Sequence, residues 1–109
     1  MNSEQILELV FSVMKEKTQE NQEKIPFEIG KAYFFRTVTY HITGRVKKIV
    51  GKFLILEDAA WIADSGRFQQ AIMDGVLSEV EPVSVETFLN IDSITDAFFW
   101  QKELPREQK

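Results

Sequence analysis

The sequence predicts a mainly β chain: an N-terminal α-helix, then a small, strongly bent five-stranded barrel with a short helical insertion. Three observations predict it. Helical apolar spacing occurs near the N-terminus and again briefly near residues 65–74. From residue 31 onward the prevailing period is two. The strands so defined are short and include glycine, and no second sheet is available to pack on them, so curling or pairing with a neighbour is the way to remove their edges. At 109 residues the chain fits one domain over 1–109.

Residues 3–22 read as the helix. Ser3 is the N-cap, Glu4 lies in the first turn, and Ile6, Leu9, Val10 and Val13 form the apolar stripe that Leu7, Phe11 and Met14 widen. Such a face can pack on its own barrel and still meet a second chain. The polar run to Lys24, followed by Pro26, ends it.

The barrel is expected over 31–100. Between Val38 and Val46 the even positions (Val38, Tyr40, Ile42, Gly44, Val46) form the dry face, and Thr39, His41, Thr43 and Arg45 the wet one. Gly44 marks a bend. Val50-Gly51-Lys52 is a turn, and Phe53-Leu54-Ile55-Leu56 reads as a strand buried on both faces. In LEDAAWIADSGRF the strand ends at Ile62, and Asp64 or Ser65 caps an insertion in which Phe68, Ala71 and Ile72 share a face; Gly75 stops it. Leu77–Val83 is an edge or broken strand because of Pro82. Two closing strands flank Asp92-Ser93, and 101–109 is a frayed polar tail.

Composition narrows the chemistry. Zero cysteine excludes disulfides, thiolate metal sites and cysteine nucleophiles. No window is long and apolar enough for a membrane span and no signal peptide is visible, so a cytoplasmic protein without membrane contact is expected. The net charge of −4 conceals a division: Lys31, Arg36, Arg45, Lys47, Lys48 and Lys52 stand without any acid in 31–56, whereas Arg67 faces nine acids in 57–96.

The helix, the bent strand with YHITGRV, the following KFLILED and the late NIDSIT segment together resemble the Sm-like fold, an SH3-like ring-forming barrel of RNA-associated proteins. Gly44, Asp58 and Asn90–Ile94 sit where that family has its second-strand glycine, its acidic position and its second short motif. The likeness is one of layout over about residues 3–100, and AAWIADSGRF departs from the family's pattern. The block from Arg36-Thr37-Val38-Thr39 to Arg67-Phe68 also looks like small uncharacterised proteins of bacteria and their phages. The Sm-like resemblance implies a ring or other closed homo-oligomer, with RNA as a ligand.

Residue chemistry offers three functional readings. The first is a non-enzymatic assembly module, with Trp61, Phe98, Phe99, Trp100 and Phe11 as interface anchors, because large aromatics at strand ends bury much area; the competing role for these rings is to cap the core. The second is RNA or single-stranded nucleic-acid binding through Arg45, Lys47 and Lys48 with His41, and Tyr40 as a stacking surface. The third is a small hydrolase-like enzyme using His41, the only histidine, with Asp58 or Asp64. The first is preferred, with no catalytic residue, small-molecule substrate, cofactor or metal. Glu57, Asp58, Asp64, Asp92 and Asp96 match no cation loop. Arg36, placed in phase with Val38 and Tyr40, requires a carboxylate partner, with Asp58, Asp64 and Asp96 as candidates.

Overall fold

The structure, a computed structural model, describes Ser3 and residues 25–109. The predicted helix over 3–22, including Phe11, lies outside the described residues apart from Ser3. The elements are β1 (Ala32–Thr37), β2 (His41–Val50), β3 (Phe53–Asp64), α1 (Phe68–Asp74), β4 (Glu79–Pro82), β5 (Thr87–Asn90), a 3-10 turn (Ile91–Ser93) and β6 (Ile94–Phe99).

The strands form one antiparallel sheet of six, with the path β4-β3-β2-β1-β6 and β5 also paired with β3. The expected count of five fails because the twelve-residue β3 has a divided outer edge. Phe53–Leu56 pair with β5, whereas Ala60–Asp64 pair with β4. The division falls at Glu57–Ala59, where Asp58 adopts a φ of 50° and β3 carries one residue more than β2 between Thr43↔Ala60 and Arg45↔Glu57. That bulge bends the strand.

The sheet is curled but not a closed barrel. β5, branching from β3, and β6, at the far end of the pairing path, are separated only by Ile91–Ser93, a span of at most roughly 14 Å from Asn90 to Ile94. Asn90 holds this turn by accepting from the Asp92 N–H at 2.9 Å. The two outer strands are thus brought near each other without pairing.

Each sheet face carries a cluster. Tyr33, Phe35, Ile42, Val46, Leu54, Leu56, Ala59 and Leu89 form one. Phe34, Ala60, Ile62, Ala71, Leu77, Val80 and Trp100 form the other. Successive Phe34 and Phe35, both fully buried, point to opposite faces and contribute roughly 1.5–3 kcal/mol each. On β2 the expected dry positions Ile42, Gly44 and Val46 are buried, but so is Thr43, because the second cluster covers the face expected to be wet. Val38 and Tyr40 belong instead to the β1–β2 turn and are 91% and 36% exposed. Phe53 is likewise exposed at the start of its strand, while Leu54, Ile55 and Leu56 are buried as expected.

The helical insertion occurs as α1, which buries Ala71 and ends at Gly75, which donates its N–H to the Ala71 carbonyl at 3.0 Å and turns the following chain away through its φ of 71°. Its N-cap is Arg67, without a side-chain cap; Asp64 instead accepts from Gly66 N–H at 2.8 Å, forming a local turn. Pro82 closes the short β4. The expected frayed tail is docked: Lys109 and Val80 exchange both backbone hydrogen bonds, at 3.0 and 2.9 Å.

Candidate functional site

Three surfaces contain the residues selected from sequence. The first is the basic stripe of β2. Arg45 lies 3.0 Å from Asp58 and 3.7 Å from Glu57, and Lys47 lies 2.5 Å from Glu86. At the following turn Lys52 is 3.3 Å from Asp92. β2 has an extra residue at Lys47 between Val46↔Leu56 and Lys48↔Ile55, a second bulge that changes the direction of the stripe. The hydrogen bond from Lys47 holds the Glu86 carboxyl below its usual pKa, and the Lys47 ammonium is correspondingly raised. Among the described residues, Lys48 is the member of the stripe with no carboxylate within ion-pair distance.

The second surface is a row across the sheet. Strand register aligns Asp96, Arg36, His41, Ile62 and Val80 on β6, β1, β2, β3 and β4. Arg36 forms a two-pronged ion pair with Asp96, one contact being Nε to Oδ1 at 2.6 Å. The predicted alternatives Asp58 and Asp64 are engaged elsewhere, by Arg45 and Gly66. The phase assigned to Arg36 also changes: the turn at Val38–Tyr40 interrupts alternation, so Arg36 shares a face with His41 and the second cluster, opposite Ile42. Its guanidinium lies 4.6 Å from the Phe68 ring centre and 5.3 Å from that of Phe98. The hydrogen bonds to Asp96 raise the Arg36 pKa and lower that of Asp96 against the smaller opposing effect of burial.

His41 packs 5.5 Å from the Phe34 ring. A shallow depression of about 110 Å³ beside it is lined by Thr39, Tyr40, Trp61, Ile62 and Ala63, with no carboxylate. Its sequence-selected partners Asp58 and Asp64 are thus not brought into this depression. Tyr40 occupies a turn organised by Thr37, whose hydroxyl donates to the Tyr40 carbonyl at 2.8 Å and accepts from its N–H at 3.0 Å. Among the described residues no group of three or more His, Asp or Glu is arranged to hold a metal, and no helix is long and apolar enough to cross a membrane.

The third group is the aromatics, with Trp61 on the inner strand β3, Phe98 and Phe99 on the outer strand β6, and Trp100 just after it. Trp61 is 44% and Phe99 56% exposed, while Phe98 is half-buried. Trp100 is buried among the second cluster, stacked near Phe34, and its indole donates to the Glu103 carbonyl at 3.0 Å. It is a core residue of this chain. Sequence reasoning missed Val50, Phe53 and Phe88, which with Lys48, Ile55 and Glu86 line an apolar groove of about 340 Å³. The legible signal was alternation: in Thr87–Asn90, burial of Leu89 turns adjacent Phe88 outward, where it is 66% exposed.

Among the described residues β5 and β6 each have one strand partner, β3 and β1 respectively, and no strand on the other edge. β6 borders a second apolar depression of about 400 Å³ containing Phe27, Tyr33, Ile94 and Phe99. Comparison with protein-family models, curated proteins and solved structures finds no match to this chain.

Proposed function

We propose that this protein is a non-enzymatic assembly module of Sm-like type that associates with copies of itself through its outer strands. One observation carries the reading: among the described residues β5 and β6 have one strand partner each, and exposed aromatics accompany both, Phe88 on β5 and Phe99 on β6. A free edge beside apolar side chains is a template for another strand. Because β5 and β6 are different surfaces, a contact between them is head-to-tail and closes into a ring when its rotation permits.

The charge arrangement favours this reading over RNA binding. Arg45, Lys47 and Lys52 have carboxylate neighbours, which reduce the positive field available to phosphates. The expected result of light scattering and native mass measurement at high micromolar concentration is a closed symmetric oligomer. A clean monomer under those conditions overturns the proposal. Salt-sensitive retention of the chain on RNA, abolished by Arg45→Glu with Lys47→Glu, would instead favour the nucleic-acid reading.

A further inference from the structure

We infer that residues 104–109 form an exchangeable strand, and that the β4 edge beneath them accepts the same segment from a second copy. This inference rests on the self-association reading and identifies a contact distinct from the β5 and β6 edges. The chain leaves β6 at one end of the sheet path and reaches β4 at the other, so 101–109 cross the face bearing α1 and the second cluster.

Residues 104–109 have three attachment points. Leu104 packs against the second cluster. Arg106 donates to the Ala59 carbonyl at 2.8 Å and to the Val83 carbonyl at 3.1 Å. Lys109 forms the reciprocal backbone pair with Val80. Arg106 reads a local peculiarity of the sheet: β3 passes from β5 to β4 across Glu57–Ala59, and Ala59 also accepts from Val83 N–H at 2.8 Å. Two main-chain carbonyls at this break define a recognition point for a guanidinium, which supplies several donors in a fixed plane.

The attachment defines a register through a narrow set of contacts. Arg106 and Lys109 are exposed, and about 380 Å³ of space lies between the segment and the body beside Leu77, Val80 and Pro105. Few buried contacts allow local release without global unfolding. The occupant is a second copy's segment because the segment seated in the site carries the complete matching set: an apolar Leu104, a cationic Arg106 and an extended backbone at Lys109. A tethered segment competes at an effective concentration on the order of mM, so exchange is favoured where the self-association contact already holds two copies together. Such exchange is strand swapping, with the same contacts made between copies.

Reciprocal Val80–Lys109 bonding is antiparallel and places exposed Gln108 beside exposed Glu81. The chain has no cysteine of its own, permitting a direct cross-linking test. Full-length Glu81→Cys and Gln108→Cys chains are mixed with glutathione disulfide, which accepts the two electrons released as the thiols form a disulfide. A mixed dimer is expected at least about tenfold faster than from Gln108→Cys with Thr39→Cys, and adding Arg106→Ala to the Gln108→Cys chain should remove that advantage. The double Glu81→Cys/Gln108→Cys chain should close internally when dilute, verifying the register. Equal mixed-dimer rates, or full-rate linkage despite Arg106→Ala, overturn the inference. If light scattering of the unsubstituted chain gives an oligomer while cross-linking fails, exchange alone falls; if it gives a monomer, the self-association reading falls with it.

Discussion

Arg36 and Asp96 are register partners on β1 and β6, and their two-pronged ion pair joins these strands beside the rings of Phe68 and Phe98. The contact therefore connects the last strand, the first strand and α1. A charge pair and aromatic packing act at the same junction, so loss of Asp96 leaves Arg36 on apolar rings without its anion.

Asp96→Asn should reduce stability by about 0.5–1 kcal/mol near neutral pH, allowing for side chains about one-third exposed. Because the folded Asp96 pKa is lowered, its contribution is present above the unfolded value and lost as pH falls through the folded value. The difference between the two proteins should hold from pH 7 toward the ordinary aspartate pKa near 4 and shrink below it. Urea unfolding across that range measures the trend; a difference growing toward acid would contradict it.

Thr43→Val should stabilise the chain. Thr43 is fully buried and its hydroxyl has no hydrogen-bond partner among the described residues, while valine retains nearly the same shape. Removing that polar group is expected to add about 1 kcal/mol and raise Tm by roughly 4–8 °C. Thermal unfolding followed by circular dichroism should show the rise, and an unchanged or lower Tm would contradict it.

Asp58 combines one backbone requirement with one charge contact. Its φ of 50° favours glycine over β-branched residues, while its carboxylate meets Arg45 at the surface. Asp58→Gly should therefore remain within about 0.5 kcal/mol of the starting stability, because relief at the backbone offsets a weak exposed pair. Asp58→Val should lose roughly 1–2 kcal/mol. Equilibrium urea titration distinguishes the two; equal losses would show that the charge contact dominates.

Phe88→Asp should weaken self-association at least about tenfold with little change in the unfolding midpoint of the dilute, dissociated chain, since Phe88 is 66% exposed. Concentration-dependent light scattering and thermal unfolding read the two effects separately. Persistence of the same assembly would remove the β5 groove from its interface.

The turn at Gly51, the helix stop at Gly75 and the two short strands flanking Asp92-Ser93 were legible because each depends on nearby chain geometry. The charged segments and the lack of cysteine were equally direct. Alternation along β2 identified Ile42, Gly44 and Val46 as buried, but could not reveal that the second cluster also covers Thr43. Nor could local spacing choose Asp96 for Arg36, since the partners are 60 positions apart and meet through strand register.

The sequence by itself determined the prevalence of extended structure, the main turns and the uneven placement of charge. Tertiary structure decided that β3 would divide its edge between β4 and β5, that Phe88 would face outward, and that residues 101–109 would cross to β4 rather than fray. The physical reason is the difference in range. Periodicity and turn chemistry act over a few residues, whereas bulges, sheet curvature and hydrogen bonds between distant strands decide which surfaces are covered and which remain open.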